Sequence, residues 1–517
     1  MRNIHVLNAT GSVGAALLVF HLINLPNKIW FSLVSLLLFF CFLQFLSERL
    51  YAKISIKIKY VNWIPAFTYL TCIAILALTP VNNHLIMEWG DIPLANWIGL
   101  VITLSLTMFF PGYVLLSIIK KPSDFIETVV MSYLLSLFIT GGVYLIDLTL
   151  IHSLNRNLIV YSNLIFLTFY ILNVYRREKI NNKKTHGYHS SSINLYGSLT
   201  IFFTVLLVLL GQYTLTVNSY PIAGSANEGI FAHSMELVKQ FPTIDALRLG
   251  GSRSISVSAV GYPYWISLCL ASVYNCSVFP RVNTFLSCFV FTVMPFLAIF
   301  LAFSSFFNKK SSRIPVIATV LTLFPGYGWI YAWYLKATSG TNSLYQLIWE
   351  AGKKTYDLPW TINLRPCSVT CYVLVGLPTF FALLYLLKKN NIKDNSKCFL
   401  IGILFALNIL GHFAEAPIFL LVYVIFVLFG SKTLNVNLKT TLSLLAGLLG
   451  VLLLDFLSPW RLYTYQSKYL GASYVMVGSL FVLFVAQFIS KHKLNVELAL
   501  KDIRKKLEQK KLTTVII

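Results

Sequence analysis

The sequence predicts an all-α, polytopic transmembrane helical bundle, and three observations carry that prediction. Of 517 residues, 57% are hydrophobic and only 11% are charged, and the mean hydropathy is +0.73. Soluble domains carry roughly 45–50% apolar and about 25% charged residues, so this chain has too few charges to cover a water-facing surface. That arithmetic excludes a soluble globule, a disordered chain, a disulfide-rich secreted domain and a coiled coil. Apolar runs of about 17–25 residues, the length of a membrane-crossing helix, recur along the whole chain. Finally, 41 Lys+Arg against 18 Asp+Glu give a net charge of +23, and the bases gather between the runs.

In chain order the spans are expected near residues 9–25, 29–47, 61–80, 95–119, 126–151, 157–174 and 195–216, and then near 281–306, 313–333, 367–387, 398–413, 416–430, 440–457 and 471–489, about fourteen in all. The first run leads directly into the second through Leu25-Pro26-Asn27, so no cleavable signal is expected. Segment 416–430 is short for a crossing. A further apolar stretch, 256–277, is broken by Gly261-Tyr262-Pro263.

Orientation follows from the basic loops, because Lys and Arg gather on the cytoplasmic side. These loops are Arg49–Lys59, Lys120-Lys121, Arg176–Lys184, Lys309–Arg313, Lys388–Lys397, Lys432–Lys439 and the tail from Lys491. If the fourteen spans cross and 256–277 does not, every one of these loops falls on one side. Segment 256–277 is therefore expected to re-enter the membrane or to lie along its outer surface. Both termini are cytoplasmic in a plasma membrane. The positive charge then reports orientation in a lipid bilayer rather than a nucleic-acid partner. Residues 491–517 read as a basic amphipathic helix on the inner lipid surface. The basic run Arg176–Lys184 suggests a boundary, with a six-span module over 1–187 and a second unit over 188–490. Phe110-Pro111-Gly112-Tyr113 lies in the first module, where Pro-Gly marks a helix kink or a packing point; no activity is read from it.

This topology leaves three long outer segments, 217–280, 334–366 and 458–470, and a short corner at 412–416. The eight cysteines lie in or beside apolar runs, and no CxxC or Cys/His ligand cluster occurs, so no ligand motif indicates a metal or cofactor; a divalent cation on His412, Glu415 and Glu228 stays open on the sequence. A Gly-rich phosphate loop is likewise missing from the sequence. Chemistry is expected at the outer membrane edge, on a short set of residues. In the first segment Glu228, His233 and Glu236 interrupt an otherwise apolar pattern around Ile230, Phe231, Leu237 and Val238. A partly desolvated carboxylate suits proton abstraction, while a carboxylate in the first turn of a helix also serves simply as a cap. The second segment carries Glu350, Lys353, Lys354, Asp357 and Arg365 with Trp349, Tyr356 and Trp360. Such a mixture suits a sugar and a phosphate, and equally an interfacial aromatic belt. Arg253, Arg365 and Arg461 are candidates for gripping a phosphate, since a guanidinium pairs with it bidentately. The corner Gly411-His412-Phe413-Ala414-Glu415-Ala416-Pro417 sets two ionisable groups three residues apart between apolar runs. Placing them at membrane depth is costly without partners or water, which points to function.

An outer loop with an acidic residue ahead of an aromatic-x-His helix, followed by Gly261-Tyr262-Pro263-Tyr264-Trp265 and apolar sequence, resembles the GT-C superfamily of integral-membrane glycosyltransferases. The matching pieces are Glu228, Phe231–His233 and Tyr262-Pro263-Tyr264. The chain departs from the family pattern where Asn227-Glu228 stands in place of a paired acidic motif and Pro-Tyr in place of Pro-Pro. The resemblance implies a GT-C-like core in the C-terminal two thirds, a polyprenyl-phosphate-linked sugar donor, and a glycan, lipid or protein acceptor. Glu228 would be the base for the acceptor hydroxyl. His412, oriented by Glu415, and the three arginines would stabilise the leaving lipid phosphate. His233, Tyr262, Glu350, Asp357 and Trp360 would line the substrate. Two other readings stay open on the sequence: a transporter or flippase of lipid-linked glycans, which predicts intramembrane charge and repeated halves, and a polymerase or ligase of such glycans.

Overall fold

A computed structural model of the chain describes residues 2–22, 28–47, 51–55, 63–78, 94–119, 125–150, 156–181, 190–194, 197, 199–204, 206–207, 265, 268–269, 280–307, 313–323, 375–389, 394–411, 413, 415–428, 437–457 and 474–488. Over these residues the protein is helical apart from one short ribbon. The helices are α1 (Arg2–Leu22), α2 (Lys28–Ser47), α3 (Ile64–Leu78), α4 (Leu94–Met108), α5 (Phe110–Ile119), α6 (Phe125–Leu150) and α7 (Arg156–Asn181). They continue as α8 (Pro280–Phe306), α9 (Arg313–Leu323), α10 (Leu377–Lys388), α11 (Asp394–Gly411), α12 (Glu415–Leu428) and α13 (Leu438–Leu457), with a final α14 (Tyr474–Phe488). Three stretches are long and apolar enough to cross a membrane, Val101–Ile119, Phe125–Asp147 and Arg156–Arg177. The others described are shorter apolar helices, each overlapping a run expected from the sequence, several of them beginning or ending a few residues outside it.

The ribbon was not expected. Strand β1 (Tyr51–Ser55) pairs antiparallel with β2 (Ser190–Asn194), Tyr51 opposite Asn194. It joins the basic loop after α2 to the chain beyond the basic end of α7, so two segments far apart in sequence lie side by side.

Polar residues inside the apolar helices find partners close by, as a low-dielectric setting demands. Thr103, Thr107 and Ser443 return their hydroxyls to the carbonyls of Gly99, Thr107's own partner Thr103, and Lys439, each at 2.8 Å. Between helices, the Tyr69 hydroxyl donates to Asn163 Oδ1 at 2.6 Å and ties α3 to α7. The α4–α5 boundary falls at Phe109, two residues before Pro111, and backbone hydrogen bonds from Phe109 N–H to the Ser105 carbonyl at 3.1 Å and from Tyr113 N–H to the Phe109 carbonyl at 2.9 Å carry the helix across it. Gly112 also packs face to face with α6: its N–H donates to Ser136 Oγ at 2.7 Å, and a Cβ there would lie 2.8 Å from that same oxygen.

Helix α6 is the centre of the bundle, in contact with α4, α5, α8, α10 and α11. One continuous core therefore runs from Tyr69 and Phe110 through Leu134 and Leu383 to Phe419 and Leu480, and it contains residues from both sides of position 187. Outward faces stay apolar, with Phe67, Leu78, Tyr175, Val475 and Phe481 exposed. Surfaces of that kind suit lipid.

The helix ends that carry basic residues meet. Arg177 of α7 donates to the Ser117 carbonyl at the end of α5, and Ser396 donates to the Ile119 carbonyl at 3.3 Å. Lys388 lies 5.9 Å from the Phe306 ring centre at the end of α8. The buried Glu127, near the start of α6, pairs with Lys389 Nζ at 2.7 Å, and Lys389 also donates to the Tyr385 hydroxyl. Lys397, 3% exposed, closes the end of α10 by donating to the carbonyls of Leu387 at 3.3 Å and Lys389 at 2.9 Å. Cations at a helix C-terminus complement its dipole and its free carbonyls.

The stretch 256–277 is described at three residues, and all three are buried against α6. Trp265 Nε1 donates to the Leu137 carbonyl at 3.0 Å, and Cys269 Sγ donates to the same oxygen at 3.2 Å. Leu137 lies ten residues beyond Glu127 in α6, about 15 Å along the axis at 1.5 Å per residue. These residues lie beside the middle of α6 rather than at either of its ends. Gly141 makes room for them, since a Cβ there would meet the indole Cδ2 at 2.9 Å and two further ring atoms more closely. Gly141→Ala is expected to destabilise the protein by about 1–3 kcal/mol through overpacking, read as a lowered midpoint of thermal unfolding in detergent. Trp265→Leu in the same chain should recover part of that loss; an unchanged midpoint for Gly141→Ala would refute the docking.

Candidate functional site

Among the described residues, the buried Thr379, Asn408 and Glu415 come together where α11 ends, α12 begins and α10 opens. The local sequence explains the corner. Gly411 closes α11, as glycine commonly does. Glu415 starts α12, where a carboxylate is favoured by the helix dipole, and Pro417 follows in the first turn, where its missing N–H costs nothing. The Ala416 N–H donates to the Phe413 carbonyl at 3.1 Å and completes the turn.

Gly411 packs directly on Val375: a Cβ there would fall 2.5 Å from Val375 Cγ1. Four residues on, the Glu415 side chain lies over Gly376. A Cβ on Gly376 would be 2.7 Å from Glu415 Cδ and 3.2 Å from Oε1. Gly376 has φ −55° and ψ −60°, an ordinary right-handed conformation. Its lack of a side chain therefore serves close approach rather than backbone freedom. Val375 and Gly376 form a widened turn ahead of α10, the kind of local irregularity that recurs at functional sites.

That turn is held from both sides. The Thr379 hydroxyl donates to the Val375 carbonyl and lies 2.9 Å from the Gly376 carbonyl. Asn408 of α11 donates through Nδ2 to Thr379 Oγ1 at 2.6 Å and to the Gly376 carbonyl at 3.2 Å. The Gly376 oxygen can only accept, which fixes the amide orientation. Asn408 Oδ1 is then left without a hydrogen-bond partner among the described residues. Asn408 and Thr379 are fully buried, and Glu415 is 6% exposed. Phe380 and Phe419 meet edge to face at 6.0 Å below the corner, and Phe405 flanks Phe419 at 5.9 Å. These contacts show α12 running back antiparallel to α11.

No protein-family model, no curated protein and no solved structure matches this chain.

The site therefore stands on its own chemistry. Of the candidate site residues read from the sequence, Glu415 is described, and it is buried against Gly376. Glu228, His233, Arg253, Tyr262, Glu350, Asp357, Trp360, Arg365, His412 and Arg461 lie outside the described residues, so the grouping of Glu228 with His412 rests on the sequence. Among the described residues no group of three His, Cys, Asp or Glu could hold a metal ion. Sequence reasoning missed Gly376, Thr379 and Asn408. Asn408 could have been found, because an amide within the apolar run 398–413 needs an internal partner. Nothing local could pair it with Thr379, 29 residues earlier.

Proposed function

We propose that the protein is a polytopic plasma-membrane glycosyltransferase of GT-C type, moving a sugar from a polyprenyl-phosphate donor to an acceptor at the outer face. About fourteen crossings with both termini inside give the fold, and residues 188–490 hold the GT-C-like core. Glu228 takes the proton of the acceptor hydroxyl. Glu415 orients His412, and His412 with Arg253, Arg365 and Arg461 neutralises the leaving lipid phosphate. The observation that carries the reading is the buried Glu415 carboxyl group at the end of α10 remote from the lysines. Gly376 precedes Lys389 by thirteen residues, about 20 Å of helix against a hydrocarbon thickness of about 30 Å. That distance from the basic helix end supports a corner that turns within the apolar layer, where a carboxyl group is retained for function. Clustering of the basic helix ends supports the inward orientation of those loops.

The same observation favours a second reading, a flippase of lipid-linked glycans, because intramembrane carboxyl groups mark transport paths. Full-length protein in sealed vesicles, supplied with polyprenyl-phosphate-linked sugars and crude acceptor glycan, separates the two. The glycosyltransferase releases polyprenyl phosphate and enlarges the acceptor; the flippase moves intact donor across the bilayer and releases none. An impermeant thiol reagent that labelled a cysteine placed at Lys310 would overturn the orientation.

A further inference from the structure

We infer that the widened turn Val375–Gly376, braced by Thr379 and Asn408, is a seat that fixes the Glu415 carboxyl group, so that Gly376 and Asn408 are positioning residues for that acid. The role in catalysis rests on the proposed function; the seat itself does not. Four observations meet here. Glu415 contacts Gly376 closely enough that any β-carbon would collide with its carboxyl carbon, at 2.7 Å. Gly376 has no conformational need to be glycine, since its φ is −55°. Its carbonyl accepts from the Asn408 amide at 3.2 Å, and Asn408 is anchored a second time on Thr379 at 2.6 Å. Gly411 in turn admits Val375, which brings the end of α11 onto the same turn.

The consequence is a carboxyl group whose position is decided by the shape of another helix. An acid on a mobile linker would sample many orientations and act poorly as an orienting partner for a base. Here the bare turn leaves to the Glu415 carboxyl group the space that a β-carbon would take, and Asn408 holds the carbonyl of that turn. The chemistry predicts a sharp dependence on volume: an added methyl at 376 expels a glutamate, and shortening the acid by one methylene makes room again.

Dicyclohexylcarbodiimide, which modifies carboxyl groups in apolar surroundings, gives a readout independent of activity. Full-length protein in lipid nanodiscs is treated at fixed pH, and modification is measured by mass spectrometry at Glu415, with the buried Glu127 and Asp147 as internal references. Gly376→Ala is expected to raise the rate at Glu415 by about tenfold, the scale of an overpacking effect on the seated population, and to leave the two references unchanged. In the double variant with Glu415→Asp, residue 415 should return toward the native rate. If Gly376→Ala does not accumulate, Asn408→Ala, which adds no volume, is expected to shift Glu415 in the same selective way. An unchanged rate at Glu415, or a parallel rise at all three carboxyl groups, overturns the seat. Selective labelling together with full activity of Glu415→Gln would keep the seat and reject the catalytic role of Glu415.

Discussion

Glu228→Gln is expected to lower sugar transfer by about 10²–10⁴-fold, the usual contribution of a positioned general base, with protein abundance unchanged. Glutamine keeps the volume and hydrogen-bonding reach of glutamate and removes only its ability to take a proton. The measurement is release of polyprenyl phosphate from a lipid-linked sugar donor by purified full-length variants. Glu415→Gln is expected to cost at least tenfold in the same assay, because an orienting carboxylate acts through its histidine rather than on the substrate. Combining the two should lose less than the product of the single losses, as groups acting on one transition state do. Transfer by Glu228→Gln within a factor of about two of the native rate would remove the base from the mechanism.

The second large effect concerns stability. Breaking a buried ion pair by removing one partner typically costs about 3–5 kcal/mol, because the other charge is left uncompensated. The pair Glu127–Lys389 is unequal: the Glu127 side chain is 3% exposed and that of Lys389 is 17% exposed. Lys389→Leu strands a buried carboxylate and is expected to cost about 3 kcal/mol, the lower end of that range because the lysine keeps some solvent. Glu127→Leu should cost less, since a lysine at a helix end can turn its ammonium group toward water. The double leucine variant should be more stable than Lys389→Leu alone. Thermal unfolding of all four chains in detergent checks the order; equal losses for the two single variants would show that the pair is not buried as described.

These two effects differ in how far the sequence announces them. Glu228 and Glu415 stand out because acids are scarce in an apolar chain and because each interrupts a run. Glu127 and Lys389 do not: both sit at the ends of spans, where a charge is ordinary. Only folding shows that they lie 2.7 Å apart across 262 residues. The short ribbon β1–β2 was equally hidden, since Tyr51–Ser55 and Ser190–Asn194 are far apart in sequence and no turn joins them.

Helix positions, by contrast, were legible in outline: each long helix among the described residues overlaps an apolar run. Burial of a backbone in lipid requires that each polar group be paired within its own segment, so an apolar run of sufficient length commits to helix before any neighbour is chosen. For that reason α6, α11 and α13 fall where composition alone puts them. Grouping of the basic loops was legible for a related reason, because each lysine or arginine marks a helix end on its own. What the sequence by itself determined is thus a set of apolar helices with basic ends. Folding decides which of those helices touch, that Trp265 docks on Gly141 beside the middle of α6, and that Gly376 meets the Glu415 carboxyl group. Such contacts depend on shape across helices, and lipid-like side chains distinguish poorly between one apolar neighbour and another; small and polar residues make the choice, and their partners are known only once the chain is folded.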